Sequence, residues 1–258
     1  MHKPRGGTTM TTEKTRNDRV TKYILMVGAI FAIFALFVGL AGAAPVNPNT
    51  LSVLSSSKGN VSSTLKNASA EAGNVSELSF VANSITNAWQ GYFGNISGQI
   101  ILADSLGNNF YTWNNSLPRG EIFASRNSSP AWATINCTNS TGLTNENAFL
   151  DKQPTDADSV NLTFSSTSHP AFSVGSVPLA NCFSTQAYGT SGPSGQDFWN
   201  VLLSDADGAG NIVYTTMINK SATGFRNTAT DFELLVGENG NATEAASTTT
   251  YYFFVELD

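Results

Sequence analysis

One uncharged apolar run, residues 23–44, constrains this chain more than any other feature. It reads YILMVGAIFAIFALFVGLAGAA, and no charged residue occurs between Lys22 and Lys58. At about 1.5 Å per residue, a helix of this length spans about 33 Å, enough to cross the hydrocarbon core of a bilayer. The preceding tail, residues 1–22, carries six basic and two acidic side chains. This basic flank predicts a cytoplasmic N-terminus and an extracellular C-terminal bulk.

A cleaved signal peptide is the alternative interpretation of the same run. Ala41, Gly42 and Ala43 form a small-residue cleavage pattern of the A-x-A type. The apolar run and the basic leader are both longer than in a typical signal peptide, which favours an uncleaved anchor. Both interpretations place the C-terminal bulk at the cell surface or outside the cell, anchored in one case and secreted in the other.

The predicted extracellular part is acidic. Residues 44–258 carry seven basic and seventeen acidic side chains, a net charge of −10. A surface of that sign repels phosphate backbones, so nucleic acid is not an expected partner. Only 12% of the chain is charged, so Asn, Ser, Thr and Gly must supply much of the solubility. Aromatic and β-branched residues are spread along the chain, which predicts a folded domain rather than disorder.

The outer part is also rich in N-x-S/T sequons, the acceptor pattern for N-linked glycans. Chance alone produces several sequons in a chain so rich in Asn, Ser and Thr. We therefore expect glycans at several of these sites but not at every one. The eleven sequons start at Asn60, Asn67, Asn74, Asn95, Asn114, Asn127, Asn136, Asn139, Asn161, Asn219 and Asn241.

The chain has two cysteines, Cys137 and Cys182, both beyond the apolar run. An even pair in an oxidising compartment predicts a disulfide, which here closes a loop of about 45 residues. A metal site is the weaker interpretation, because two cysteines without partnering histidines do not complete a tetrahedral shell.

Residues 45–90 are predicted to form a stalk or linker between the membrane and the domain. Apolar residues from Val61 to Trp89 recur at steps of three or four, which favours a helix. Gly59, Gly73 and the many serines lower helix propensity. An extended linker is therefore the alternative to a part-helical stalk.

Residues 91–258 are predicted to form an all-β domain, an antiparallel sandwich of the Ig-like or jelly-roll-like kind. About ten short apolar runs are separated by Gly, Asn, Asp and Pro, with no helical pattern between them. Two stretches share the pattern A-D-x-x-G-N-x-x-Y-T: ADSLGNNFYTW at 103–113 and ADGAGNIVYTT at 206–216. Each predicts a β-hairpin with a Gly-Asn turn, the two lying on separate sheets.

The last residues, TTTYYFFVELD, predict a strand that is apolar on both faces. Such a strand is expected to be central in its sheet rather than at an edge. Other strands are predicted at 132–136, 159–164, 171–174 and 232–236.

Acidic turns raise the question of calcium. Asp205 and Asp207 alternate in a glycine-containing loop, as hard-cation ligands do. Position five of such a loop is Ala209, however, and position twelve is Thr216 instead of a bidentate Glu. A plain hairpin turn is favoured, with Asp205 and Asp207 kept as weak metal candidates. A second acidic loop, at 151–158, carries the same reservation.

No catalytic residue or cofactor site is assigned. Beyond the apolar run the single histidine is His169, and no G-x-S-x-G pattern supplies a nucleophile for it. A packing role is favoured for this histidine. Aromatic residues could line a sugar-binding face, although core packing is their commoner use. They are Trp89, Tyr92, Phe93, Trp113, Trp132 and Trp199.

Several of these stretches together resemble a set of uncharacterised predicted surface proteins from uncultivated archaea. They are AWQGYFGNISG, the 103–113 hairpin, DADSVNLTF, SHPAF, DFELLV and TTTYYFFVEL, and they cover about residues 89–257. The resemblance implies a secreted β domain of archaeal origin. It carries over no activity and no site residues.

These observations predict an exported cell-surface glycoprotein, not an enzyme, with a structural, adhesive or display role. Its expected partners are the membrane, through residues 23–44, and further copies or other surface proteins. In a self-assembling version, the apolar stretch 49–55, NTLSVLS, would complete the sheet of a neighbour. The alternative is an extracellular carbohydrate-binding module or polysaccharide-acting hydrolase, with glycans as partners and an acidic residue beside an exposed Trp.

Overall fold

The computed structural model of the chain describes residues 44–59, 66–113, 119–188, 196–206, 210–239 and 248–258. The predicted tail and nearly all of the predicted membrane segment lie outside these ranges. Among the described residues, no helix has the length and apolar character needed to span a bilayer. The described part is mostly β.

The described residues form fourteen strands and two helices. The strands are β1 (Trp89–Gly94), β2 (Ile100–Ala103), β3 (Asn109–Trp113), β4 (Gly120–Ser125), β5 (Asn136–Cys137), β6 (Phe172–Val174), β7 (Val177–Leu179), β8 (Ser184–Tyr188), β9 (Gln196–Ser204), β10 (Ile212–Met217), β11 (Ala222–Thr223), β12 (Ala229–Thr230), β13 (Phe232–Gly237) and β14 (Tyr252–Leu257). The helices are α1 (Ser140–Phe149) and α2 (Val160–Thr163), and a 3₁₀ turn covers Trp132–Thr134.

The largest sheet has six strands, with β14, β4, β10, β9 and β5 in that order. Strand β8 also pairs with β9, so β5 and β8 lie end to end along one side of it. All strand pairs in the described residues are antiparallel. The prediction of an all-β fold with antiparallel sheets is confirmed at this level.

The six-stranded sheet is covered on both faces. Successive strand residues point to opposite faces, so Ile122 and Ala124 lie in one apolar cluster and Phe123 in the other. The first cluster includes Leu234 and Val236 from the ribbon of β1 and β13, together with residues of both helices. The second includes residues of the β6–β7 hairpin and of the segment after the 3₁₀ turn.

Two of the predicted strands, 132–136 and 159–164, contain helical turns in the structure, and the first of them holds the 3₁₀ turn at Trp132–Thr134. The predicted strand 159–164 contains α2, whose first turn is capped by the Ser159 hydroxyl accepting from the Leu162 N–H at 3.3 Å. Helix α1 lies where no helix is predicted, and Asn139 caps it by accepting from the Gly142 N–H at 3.0 Å. The Asn147 side chain joins the helices by accepting from the Val160 N–H at 2.9 Å. Helix formation in α1 and α2 is therefore explained by side-chain hydrogen bonds at the helix N-termini and not by a periodic pattern of apolar residues.

The prediction that the C-terminal strand is central in its sheet is wrong. Strand β14 lies at the sheet edge, next to β4 only. Both of its faces are nevertheless covered, since Phe254 packs against Trp132 at 5.1 Å and Phe253 against Tyr92 at 5.2 Å between ring centroids. Apolar residues on both faces of β14 show that both faces are covered by other residues. They do not show whether a strand lies on each side of β14 within the sheet.

The predicted stalk contains no helix in its described residues, 45–59 and 66–90. A turn at 71–74, closed by the Asn74 N–H on the Glu71 carbonyl at 3.2 Å, is the regular feature of 66–87. The chain then enters β1 at Trp89, close to the predicted start of the domain at residue 91. The helical part of the stalk prediction is therefore not seen in these residues.

Candidate functional site

Asp205 closes the β9–β10 hairpin and is saturated by amide donors. Its carboxylate accepts from the Asn211 main-chain N–H at 2.8 Å, from the Asn211 side-chain amide at 3.1 Å and from the Asn127 side-chain amide at 2.8 Å. These oxygens face N–H groups whose positive ends would repel a cation. The hairpin-turn interpretation accounts for Asp205, while Asp207 lies outside the described residues.

The related hairpin of β2 and β3 uses the same device. Asp104 accepts from the Asn108 main-chain N–H and from its side-chain amide, both at 2.8 Å. In the shared pattern Asp104 corresponds to Asp207, yet the structure gives its role to Asp205. Both predicted hairpins are confirmed, and they lie in separate sheets.

The second acidic loop is also occupied by internal contacts. Asp158 pairs with Lys152 at 2.9 Å and accepts from the Thr86 hydroxyl at 2.7 Å. Asp156 accepts from the Gln153 N–H at 2.8 Å. Throughout the described ranges, no group of three or more His, Cys, Asp or Glu side chains is placed to hold a metal ion.

The predicted disulfide between Cys137 and Cys182 is confirmed. It joins β5 to the residues just before β8, the two strands that lie end to end along β9. His169 supports it, because its Nε2 atom accepts from the Cys182 N–H at 2.9 Å. The Nδ1 atom lies 2.8 Å from the Pro170 carbonyl and donates to it. With both ring nitrogens engaged by the main chain, His169 is a packing residue.

Most of the described sequons expose their Asn. Asn67, Asn74, Asn95, Asn136, Asn139 and Asn219 are exposed, and Asn127 and Asn161 are half-buried. The Asn139 cap uses Oδ1, which leaves Nδ2, the atom that carries a glycan. Asn127 instead uses Nδ2 to hold Asp205, so a glycan there would disrupt the hairpin turn. Asn60, Asn114 and Asn241 lie outside the described residues.

Two glutamates form a buried acidic pair that the sequence alone did not reveal. Glu121 and Glu256 are directly opposite each other on β4 and β14, and each is no more than 5% exposed. The Gly175 N–H donates to both Glu256 oxygens, at 2.8 and 3.1 Å. Glu121 Oε2 is buried without a hydrogen-bond partner in the described part of the chain. Their only sequence signal is an acidic residue within an apolar strand.

A second buried polar group fastens α1 to the sheet. The Arg126 guanidinium donates to both oxygens of Glu146 at 2.6 Å, and the Tyr214 hydroxyl donates to the same carboxylate at 2.6 Å. Glu146 is 1% exposed. The Arg126 guanidinium also stacks on Phe149, 3.8 Å from the ring centroid. This network has a structural role and does not face solvent as a catalytic site would.

The β2–β3 hairpin exposes a group of large apolar side chains. Phe110 is 84% exposed and Trp113 is 48% exposed. Trp113 packs edge-on against Tyr111, with ring centroids 4.9 Å apart. The other three tryptophans are half-buried. Segment 75–85 exposes a second apolar group: Val75, Leu78, Phe80, Val81 and Ile85.

The outer edge of β14 receives one residue from the N-terminal segment. The Val46 N–H donates to the Val255 carbonyl at 2.9 Å, and the Val255 N–H donates to the Val46 carbonyl at 2.8 Å. This is an isolated antiparallel bridge rather than a strand. Within the described residues, the outer edge of β14 is therefore nearly open.

No protein-family model, curated protein or solved structure matches this chain. The acidic and histidine side chains with described contacts serve the fold, whereas the exposed apolar groups and the β14 edge are suited to contact with other molecules.

Proposed function

We propose that the chain is an exported cell-surface glycoprotein with a structural, adhesive or display role. The observation that carries this proposal is the disulfide, which is built into the edge of the main sheet and belongs to an oxidising compartment. Exposed sequons on the same domain support it, because N-glycans are added to exported chains.

The membrane segment and the finer fold are parts of the same proposal. Residues 23–44 form a single-pass N-terminal helix, or a signal segment removed on export, and the described domain lies outside the cell. The packing of the β1–β13 ribbon on the main sheet favours a β-sandwich of the Ig-like or jelly-roll-like kind. The resemblance to archaeal surface proteins supports an archaeal origin.

A contact role is supported by the exposed apolar side chains. The β2–β3 hairpin exposes seven large apolar side chains, and groups of exposed apolar side chains often mark interaction sites. An isolated two-stranded hairpin is also marginally stable by itself. Both features are expected of a segment that becomes covered in contact with a neighbouring molecule.

Surface labelling of intact cells tests the proposal. A membrane-impermeant amine reagent should modify Lys58 and Lys66, which lie in exposed segments. The tail lysines Lys3, Lys14 and Lys22 should react only after lysis, or should be missing from the mature chain if the segment is cleaved. Protection of Lys58 and Lys66 on intact cells, with labelling after lysis, would exclude an exported domain.

Glycan binding is a second candidate, supported by the exposed pair Tyr111 and Trp113. Aromatic faces of this kind stack on sugar rings, and the Tyr111 and Trp113 rings are both exposed with their centroids 4.9 Å apart. In a glycan-binding screen, Trp113→Ala should abolish binding while Leu106→Ala, a change at another exposed apolar position of the hairpin, should not. Equal loss in both variants would point to general damage to the hairpin.

A further inference from the structure

The outer edge of β14 can accept a strand. In an antiparallel strand, alternate residues direct both main-chain groups to the same side. Since Val255 bonds outward to Val46, the main-chain groups of Phe253 and Leu257 also face outward. In the described part of the chain, Val46 is the one residue whose main chain bonds this edge. Open edges of this kind are templates for pairing with another chain.

The pairing within one chain is short for a chemical reason. In the register that Val46 sets, Pro48 lies opposite Phe253 and Ala44 opposite Leu257. Proline has no N–H, so Pro48 cannot donate to the strand and ends the pairing on that side. Pro45 is tolerated because its nitrogen points away from β14. One residue of main-chain pairing and the buried ring of Pro45 therefore hold residues 44–48 to their own domain.

The connection to the rest of the chain is long and weakly held. Residues 49–87 link the bridge to β1, and their described parts are exposed and contain no helix or strand. A link of about 39 residues can reach up to about 130 Å when fully extended, more than the width of a small domain. Residues 44–48 can thus leave their own β14 and reach another copy, where the same pairing and the same burial of Pro45 form again.

We propose that residues 44–48 of one copy pair with β14 of a second copy. This deepens the proposed function and rests on it, because export places many copies on one surface. The contact between copies uses the same hydrogen bonds as the contact within one chain. Exchanging one for the other therefore loses no hydrogen bonds, as in domain swapping. Donor and acceptor are different surfaces of each copy, so the contact is heterologous and propagates along a row of copies.

Cysteine trapping tests this exchange in the full chain. Directly opposite residues in a hydrogen-bonded antiparallel pair have Cα atoms about 5.5 Å apart, a distance that a disulfide spans. Val46→Cys and Val255→Cys chains with different affinity tags are co-expressed, and both native cysteines are already paired. A bond between positions 46 and 255 can then form only between copies. Asn49→Cys, an exposed position three residues on, replaces Val46→Cys in the control for random collision.

We expect mixed disulfide-linked pairs at several times the control yield, and a ladder of multimers from the double variant V46C/V255C. Mixed pairs no more abundant than the control, with the double variant remaining monomeric, would overturn the exchange. Surface labelling of Lys58 and Lys66 is read on the same cells. Retained labelling without mixed pairs refutes the strand exchange alone, whereas lost labelling refutes the proposed function.

Discussion

Glu121 on β4 and Glu256 on β14 lie side by side beneath the β6–β7 hairpin, with Asp258 two residues beyond Glu256. Burial, together with the charges of Asp258 and Glu256, raises the pKa of Glu121 to about 8. Burial raises the pKa of Glu256 to about 7, although the bond from the Gly175 N–H acts in the opposite direction. The pair therefore holds at least one proton at neutral pH.

The first prediction concerns pH. Both pKa values are raised above the ordinary 4.5, so the folded state binds protons more tightly than the unfolded state. The stability from this pair is present below about pH 4.5 and is lost as the pH rises through 7 and 8. Glu121→Gln should remove much of a loss on the order of 3 kcal/mol between pH 5 and 9. Urea unfolding at several pH values measures this, with the exposed Glu77→Gln as control. Parallel pH profiles for wild type and Glu121→Gln would contradict it.

The second prediction concerns the disulfide. Cys137 and Cys182 are 45 residues apart, and closing such a loop stabilises the fold by about 3–4 kcal/mol in the chain-entropy model. Replacing both by serine should lower the free energy of unfolding by about that amount, as measured by chemical denaturation. Reduction of the wild-type protein is the matched control and should give a similar loss. A double variant as stable as the oxidised protein would show that the bond adds nothing.

The third prediction concerns the buried ion pair that fastens α1. Arg126→Met leaves the Glu146 carboxylate buried without its guanidinium and should cost about 3–5 kcal/mol. The double variant R126M/E146M removes both charges and should recover part of that loss. The recovery is incomplete because the buried Tyr214 hydroxyl loses its acceptor. Denaturant unfolding of the wild type, Arg126→Met, Glu146→Met and the double variant gives the four free energies of a double-mutant cycle. A double variant less stable than Arg126→Met would contradict this assignment.

The fourth prediction concerns the bridge at the sheet edge. Val46→Pro removes the N–H that bonds the Val255 carbonyl, so the Val255 amide should lose protection from hydrogen exchange. Asn47→Pro is the matched control, because alternate residues direct their N–H away from β14. Hydrogen exchange, followed by mass spectrometry of the C-terminal peptide, measures the loss of amide protection in each of the two variants. Equal protection in wild type and Val46→Pro would mean that residues 44–48 do not pair with this edge.

Turn chemistry and cysteine parity made part of this fold predictable. The two A-D-x-x-G-N stretches specify hairpins through local hydrogen bonds, and a single pair of cysteines has one possible partner each. Such features depend on residues close in sequence or on a count. The alternation that separates Ile122 from Phe123 likewise follows from strand geometry.

The remaining features depend on contacts between distant residues. Helix α1, STGLTNENAF, lacks an apolar stripe and is held by Arg126, which lies 20 residues before Glu146. The position of β14 at an edge is a property of strand order, which a two-faced apolar pattern does not encode. The pairing of Glu121 with Glu256 arises only when β4 and β14 align. Sequence reasoning therefore missed the acidic pair and the edge for the same reason.

Peptide mapping of the native, non-reduced protein by mass spectrometry tests the central claim, export to the cell surface, most directly. We expect a cross-linked peptide joining Cys137 to Cys182 and glycan masses at several exposed sequons. Asn95 and Asn139 should be the most favourable sites, and Asn127 should be unmodified. Free thiols at both cysteines together with unmodified asparagine at every sequon would contradict it.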